Sequence, residues 1–238
     1  MIGILAAMPE EIHSLMSALE SSRVERVGLR DYHLGRLHGF DCVMVYSRIG
    51  KVAAASTATQ LIDRFKVSQV LFTGLAGGVG LNVHRGDIVV GSELIQHDLD
   101  ASPLFKKHEV PLLGVTRFKT DPSRTERLLH AARTFAASRG VQVHLGLIAS
   151  GDQFFSSAEA VTRLRDALPD TLCVEMEGAA VAQICHEHQV PFSIVRTISD
   201  SANEDAASDF PKFLADVAGP YALATIGSFI RSSQAGSC

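Results

Sequence analysis

Acidic residues follow short apolar runs at widely separated points of the chain. Glu10 and Glu11 come after the apolar residues 2–7, and Asp200 comes after residues 192–198. The sequence Glu-Met-Glu at 175–177 follows another apolar run. Carboxyl groups can give and take protons, so acids that converge on one site could carry out acid–base chemistry. The elements of the fold would have to bring these distant positions together.

Each of these features alone also has a structural explanation. The acids at 10 and 11 suit the first turn of a helix, where they interact favourably with the helix dipole, and Asp200 could be a helix cap. The glycines of TGLAGG, at 73–78, could form a tight turn from a strand into a helix. This segment is not GxGxxG and lacks the Lys-Ser/Thr pair of a P-loop, so it predicts no nucleotide fingerprint.

The chain alternates between short apolar runs and segments with helical spacing. Apolar runs at 2–7, 70–73, 141–149 and 192–198 predict buried strands, and residues 32–37 and 42–46 predict a hairpin near Gly39. This alternation predicts a single α/β domain, with a mixed, mostly parallel twisted sheet flanked by helices. Ligands in such folds bind at the carboxyl ends of the strands, where the acids described above lie.

The C-terminal part of the chain carries two further signals. The pair Gly219-Pro220 predicts a break or kink in the last helical segment. The polar residues at the very end predict a frayed tail over 232–238, after a domain that spans residues 1–231.

The composition bounds the class of protein. The chain has 238 residues, of which 46% are hydrophobic, and this suits a packed enzyme domain. Its net charge is −4 and it has no block of basic residues, which argues against nucleic acid or an anionic membrane as a partner. The first residues, MIGILAAMPEE, lack the basic start of a signal peptide. No apolar run reaches the ~18 residues of a membrane span.

The cysteines and histidines point to no metal centre. Cys42, Cys173, Cys185 and Cys238 form no CxxC pair, so reduced thiols in a cytosolic protein are expected. Histidines two residues apart in a predicted helix, at 186 and 188, do not share a face, which argues against a metal pair there.

Seven motifs follow one another along nearly the whole chain: GILAAMPEE (3–11), IGKVAAA (49–55), TGLAGG (73–78), GDIVV (86–90), SGDQF (150–154), VEMEGAA (174–180) and VRTISD (195–200). Their order resembles the purine nucleoside phosphorylase/nucleosidase superfamily, and within it the 5′-methylthioadenosine/S-adenosylhomocysteine nucleosidases. VEMEGAA and the ISD ending are specific, whereas TGxAGG is shared by many superfamily members.

The resemblance implies a nucleoside phosphorylase/nucleosidase-like domain over residues 1–231. It implies hydrolysis of 5′-methylthioadenosine and S-adenosylhomocysteine to adenine and the 5′-substituted ribose, with 5′-deoxyadenosine as a further candidate substrate. It also implies a cytoplasmic homodimer that needs no metal or organic cofactor and has a small nucleoside as its partner.

The resemblance also implies a role for each matching residue. Glu11 would be the general base that takes a proton from the attacking water, and Asp200 would be the general acid that protonates the purine at nitrogen 7. Glu177 would hold the ribose hydroxyls, while Ser199 and Arg196 would support Asp200. The remaining predicted binding residues would contact the base, the sugar or the pocket wall: Phe154, Phe155, Met176, Phe210, Ile49, Met8 and Gly77.

The chemistry of such a reaction explains why these residue types suit it. The N-glycosidic bond breaks through an oxocarbenium-like sugar, and adenine is a poor leaving group unless it is protonated. Each well-placed proton transfer is worth about 10²–10⁴ in rate. A carboxylate near the ribose hydroxyls would stabilise the positive charge that builds on the ring. Asp200 could donate a proton at neutral pH only if a dry pocket raises its pKa.

Three positions depart from the family pattern. Leu75 stands where many relatives carry a small polar residue. Arg48 precedes Ile49 where relatives carry glycine, and its guanidinium either binds an anion or, as we favour, folds outward on the surface. Residues 100–104 match the family only in outline. In relatives this region reaches the partner subunit's site near the 5′ substituent, so the preferred substituent stays open.

Three other functions are alternatives to the nucleosidase. A phosphorylase of the same fold would need phosphate-binding side chains where the acids at 10 and 11 lie, and Arg48 is the one feature in its favour. A hydrolase for another nucleoside, such as futalosine or its aminodeoxy relative, would share the overall pattern, but an aspartate at position 200 favours a 6-aminopurine. A nucleoside-binding protein without catalysis would be marked by loss of Glu11 or Asp200, and both are present.

Overall fold

A computed structural model describes residues 1–203 and 206–232 of the chain. It contains ten strands: β1 (Ile2–Ala6), β2 (Glu20–Val27), β3 (Arg30–Leu37), β4 (Phe40–Tyr46), β5 (Gln69–Gly78), β6 (Ile88–Gln96), β7 (Phe118–Lys119), β8 (Val143–Ser150), β9 (Thr171–Glu175) and β10 (Phe192–Asp200). The helices are α1 (Pro9–Ser17), α2 (Lys51–Asp63), α3 (Pro122–Ala137), α4 (Ala158–Ala167), α5 (Gly178–Glu187), α6 (Ala206–Phe213) and α7 (Gly219–Ser232).

The strands form one sheet in the order β10-β6-β8-β9-β5-β1-β4-β3-β2, with β7 beside β6. β10 also pairs with β5, so β10, β6, β8, β9 and β5 close into a ring. The single α/β domain with a mixed sheet between helices is confirmed. Among the described residues, however, five of the ten pairings are parallel, so parallel pairs make up half of the sheet and not most of it.

Helices cover the sheet and bury its apolar strands. α2 and α5 pack together over one apolar core, which includes Leu61, Phe72 and Val181. α1, α3 and α7 pack over a second core, which includes Leu15, Leu128 and Phe229. Because apolar side chains point to both faces of the central strands, each strand reads in the sequence as a continuous hydrophobic run.

The glycine-rich segment 73–78 does not turn into a helix, as one explanation of the sequence had it. β5 continues through it to Gly78, because β10 pairs alongside in parallel register from Val70 to Gly77. A Cβ at Gly74 would lie 2.8 Å from Glu11 Oε1 and 2.9 Å from Arg196 Nη1. The glycine therefore leaves room for two charged side chains to approach the strand.

The C-terminal helix is continuous through the Gly219-Pro220 pair. The irregularity lies just before it, in a π-helical segment at Leu214–Ala218, and α7 then runs from Gly219 to Ser232. The predicted break is therefore a local widening of the helix. Ser232 still lies in α7, and the rest of the predicted tail, 233–238, is outside the described residues. In the described part of the chain, no helix is both long and apolar enough to cross a membrane.

We expect Gly91→Ala to destabilise the sheet by about 1–3 kcal/mol, measured by urea unfolding, because overpacking a filled core forces side chains off their rotamers. A Cβ at Gly91, in β6, would lie 2.5 Å from Ile194 Cγ2 and 3.1 Å from Ile148 Cδ1. Adding Ile194→Leu, which removes the β-branch methyl, should restore part of the loss. An unchanged free energy of unfolding in Gly91→Ala would contradict the packing described here.

Candidate active site

A pocket lies where strands of the sheet end, as the sequence predicted. Eleven of the twelve predicted site residues line it, and Arg196 is the exception. The lining comes from seven segments of the chain: Ala7, Met8, Glu11, Ile49, Leu75, Ala76, Gly77, Gln153, Phe154, Phe155, Val174, Glu175, Met176, Glu177, Ser199, Asp200, Ala202 and Phe210. Four carboxyl groups therefore face one small, otherwise mostly apolar space.

Glu11 lies in the first turn of α1 and folds back toward β1. Its Oε2 accepts hydrogen bonds from the N–H groups of Ala7 and Met8, both at 2.9 Å, and its Oε1 accepts one from Leu75 at 2.8 Å. Only 2% of the residue is exposed, whereas the neighbouring Glu10 is exposed. Burial raises the pKa of Glu11, and the nearby Arg196 charge and the three N–H donors only partly offset it.

Arg196 lies beneath the pocket on β10 and is 1% exposed. Its Nη2 donates to Glu175 Oε2 at 2.5 Å, and its guanidinium stacks 4.0 Å from the centre of the Phe72 ring. The same glutamate accepts hydrogen bonds from Ser150 Oγ and from the N–H groups of Glu177 and Gly178. Arg196 therefore pairs with Glu175, and the expectation that it supports Asp200 is wrong.

Glu175 is the buried acid that the sequence analysis did not assign to the site. It ends β9, is 7% exposed and holds both Arg196 and the N-terminus of α5. A signal for it was available, because an arginine inside the apolar strand 192–198 needs a buried acid as its partner.

Glu177 follows two residues later and turns its carboxylate into the pocket. Its Oε1 accepts a hydrogen bond from the N–H of Gly50 at 2.9 Å, and 5% of the residue is exposed. Burial, followed by the charge of Glu175, raises the pKa of Glu177 to about 8. Met176, between the two acids, also lines the pocket.

Asp200 ends β10 just after an irregularity in its pairing with β5. Its Oδ2 accepts from the Ser199 hydroxyl at 2.6 Å and its Oδ1 from the N–H of Ala202 at 2.8 Å. Burial raises its pKa against these two hydrogen bonds. A Cβ at Gly77 would lie 3.1 Å from Asp200 Oδ1, so the glycine lets the carboxyl lie close to β5.

Two consecutive aromatic residues, Phe154 and Phe155, line the pocket but differ in exposure. Phe154, which is 45% exposed, meets the ring of Phe210 edge to face at 6.0 Å. Phe155 is buried and packs against the ring of His97. Phe154 is thus free to lie against a flat ligand, whereas the side chain of Phe155 belongs to the core.

Comparison with known proteins places the chain in a family. The sequence profile of the Phosphorylase superfamily matches residues 1–231. The chain belongs to that superfamily. Within it, the chain is a member of the 5′-methylthioadenosine/S-adenosylhomocysteine nucleosidase family: the enzyme of that name from Bacillus thuringiensis (strain Al Hakam) is 36% identical over 214 residues, which cover 90% of this chain and 91% of the relative.

Solved structures of the family share the fold. The nucleosidase from Neisseria meningitidis, in complex with methylthio-immucillin-A, is 37% identical with a TM-score of 0.92, and the match covers 97% of this chain and 98% of that one. An aspartate-to-asparagine mutant of the Helicobacter pylori enzyme, with 5′-methylthioadenosine in the active site, is 33% identical with a TM-score of 0.88, over 97% and 98% of the two chains.

The structure also places the two residues that depart from the family pattern. Arg48 folds outward, where its Nη2 donates to the carbonyl of Leu29 at 2.9 Å on the surface, as expected. Leu75 lines the pocket but packs mainly against Phe213 and Ala218. Leu75 bonds to Glu11 through its backbone N–H, and any residue except proline could supply that donor. Among the described residues, no three or more His, Cys, Asp or Glu side chains are arranged so that they could hold a metal ion.

The raised pKa of Glu177 predicts a pH-dependent stability. Between its ordinary value of 4.5 and about 8, the folded state keeps a proton that the unfolded chain has lost, so stability falls as pH rises through this range. From about pH 6.5 to 8, we expect the melting temperature of the unliganded protein to fall by at least about 2 °C more in the wild type than in Glu177→Gln.

The comparison isolates one group. Histidines with lowered pKa values, such as His97 and His108, contribute in both proteins and cancel in the difference. Parallel pH profiles of the two proteins would contradict a proton held on Glu177.

Proposed function

We propose that the chain hydrolyses the N-glycosidic bond of 5′-methylthioadenosine and S-adenosylhomocysteine, releasing adenine and the 5′-substituted ribose. The observation that carries this proposal is the charge of the pocket. Four carboxyl groups line it, and no lysine, arginine or histidine does so among the described residues. A phosphate dianion would find no cationic side chain in the described lining to balance its charge, whereas a neutral water molecule needs none.

Glu11 suits the role of general base. Its buried carboxylate is fixed by three backbone N–H groups, and its raised pKa brings its basicity closer to neutral pH, where a base works best. It takes one proton from water as the water oxygen bonds to C1′ of the sugar. The electron pair of the broken C1′–N9 bond leaves with the purine.

Asp200 suits the role of general acid. Because burial raises its pKa, the carboxyl group can hold a proton and deliver it to nitrogen 7 of the leaving adenine. Its other oxygen can accept a hydrogen bond from the exocyclic 6-amino group. Hypoxanthine, as in futalosine, presents a carbonyl oxygen at that position, so an acceptor would meet an acceptor. The aspartate therefore favours adenine over hypoxanthine as the leaving base.

The remaining lining suits a nucleoside. Glu177 can accept hydrogen bonds from the ribose hydroxyls. The positive charge that develops on the sugar favours its ionised form, which in turn stabilises that charge. Phe154 can stack on the base while the backbone at Phe155 reads its edge. The apolar side chains of Met8, Ile49, Met176 and Phe210 suit the sugar and the thioether at its 5′ carbon. The same space would accept 5′-deoxyadenosine.

We further propose a homodimer in the cytoplasm. Large apolar side chains are exposed at the pocket entrance and on the loop 97–117: Ile49 (55%), Leu104 (84%) and Leu112 (94%). A second copy would cover them and bring its Leu104 segment near the 5′ substituent of the substrate. The buried cysteines at 42, 173 and 185 are free thiols, which suits a reducing compartment.

Replacing Asp200 by Asn tests the central assignment. An amide cannot deliver the proton, so we expect turnover of 5′-methylthioadenosine to fall at least about 10²-fold. Binding of a non-hydrolysable adenosine analogue, measured by calorimetry, should weaken much less. The exposed Asp166→Asn is the matched control and should behave as the wild type. Adenine release by Asp200→Asn near the normal rate would exclude the proposed acid.

A further inference from the structure

A charged cluster near the pocket joins two of the segments that line it, at Ile49 and at 153–155, to the segment that follows β6. It consists of Lys51, Asp98 and Asp152, and we refer to these three residues as the clamp. Lys51 begins α2, Asp98 follows β6 and Asp152 follows β8. None of the three lines the pocket itself, so their effect on a ligand must pass through other residues.

The clamp is a closed triangle of hydrogen bonds. Lys51 Nζ donates to Asp98 Oδ1 at 2.6 Å, and the N–H of Lys51 donates to Asp152 Oδ1 at 2.8 Å. The N–H of Asp152 donates to Asp98 Oδ2 at 2.9 Å. The side chains of Lys51 and Asp98 are only 18% and 29% exposed, so solvent screens their charges incompletely.

The charge on Asp98 is favoured by these contacts. Burial would raise the pKa of Asp98, but the hydrogen bonds from Lys51 and from the Asp152 N–H outweigh it, and the pKa is lowered. The Lys51 ammonium also donates to Gln96 Oε1 at 3.2 Å, which ties α2 to the end of β6. The ion pair is therefore intact at neutral pH.

Gly50 connects the clamp to the sugar side of the pocket. Gly50 precedes Lys51, has a φ of +100°, and donates its N–H to Glu177 Oε1. A Cβ at Gly50 would lie 3.2 Å from Asp152 Oδ1. The peptide that orients Glu177 is therefore held between the clamp and the pocket.

Asp152 connects the clamp to the side of the pocket that would hold the base. Asp152 is followed directly by the segment that supplies the lining residues Gln153, Phe154 and Phe155. The same three residues therefore fix the position of the Glu177 carboxyl group, which faces the sugar, and of the loop that faces the base.

We propose that the clamp is a positioning device that holds Glu177 in the orientation for the ribose hydroxyls and so sets the discrimination against 2′-deoxyribonucleosides. The inference rests on the proposed function, because it needs a nucleoside substrate. Without the Lys51 ammonium, the N-terminus of α2 loses its contacts with Asp98 and Gln96, and only the Lys51 N–H still holds it to Asp152. The Gly50 N–H then fixes Glu177 less tightly. A misplaced Glu177 carboxyl group lowers kcat/KM more for a substrate that has a 2′-hydroxyl than for one that lacks it.

The test compares 5′-methylthioadenosine with its 2′-deoxy analogue, measuring kcat and KM for each along with the melting temperature. We expect the ratio of the two kcat/KM values to fall about fivefold in Lys51→Met and in Asp98→Asn. Lys51→Arg, which keeps the charge, should keep most of the ratio. The double variant should lose no more than either single one, because the two residues act as a unit.

Arg117→Met is the matched control. It breaks a similar ion pair, Arg117–Asp170 at 2.6 Å, that lies away from the pocket, and it should lower the melting temperature without changing the ratio. A ratio within about twofold of wild type in both Lys51→Met and Asp98→Asn would overturn the inference, whatever their thermal stability.

The same assay distinguishes failure of the proposed function from failure of the clamp. A wild-type protein that releases no adenine from 5′-methylthioadenosine contradicts the proposed function and removes the basis of the inference with it. A wild-type protein that is active, with variants whose ratio is unchanged, contradicts the clamp alone.

Discussion

The site depends on holding several carboxyl groups out of water with, in the described part of the chain, one buried guanidinium among them. Removing a charge from water is costly, and a buried acid persists only if it is paired, hydrogen-bonded or protonated. The protein uses all three solutions. Glu175 is paired with Arg196, and Glu11 accepts three backbone N–H groups. Glu177, with a pKa raised to about 8, and Asp200, with its pKa also raised, hold protons more readily than free acids do.

This division of the charge links stability to catalysis. Arg196 is committed to Glu175, so its positive charge is largely balanced and the pocket above it stays acidic. A pocket of partly desolvated acids lowers the stability of the folded protein at neutral pH. The same environment lets one carboxyl group donate a proton while another accepts one. The glycines of β5 permit this crowding. A side chain at Gly74 would collide with Glu11 and Arg196, and one at Gly77 would collide with Ala202 and crowd Asp200.

The sequence was sufficient to predict that Glu11 and Asp200 come together at strand ends, but not how the charges around them are balanced. The apolar runs at 2–7 and 192–198 predicted β1 and β10, and the rule that ligands bind at strand ends then selected Glu11 and Asp200. Glu175 was missed because its role depends on a contact with Arg196 that is 21 residues away in the chain. The strand through the glycines at 74–78 was missed because glycine disfavours strands, and only the pairing with β10 stabilises it there. β2 has the sequence ESSRVERV and is mostly exposed, so no apolar alternation marked it.

The proposed chemistry depends on whether water or phosphate is the nucleophile. This is tested by following the cleavage of 5′-methylthioadenosine in buffers with and without inorganic phosphate. Adenine release is timed by absorbance, and the sugar product is identified by mass spectrometry and phosphorus NMR. With four carboxyl groups and no cationic side chain among the described lining residues, we expect equal rates in both buffers and free methylthioribose as the product. A reaction that requires phosphate and yields the sugar 1-phosphate would contradict hydrolysis.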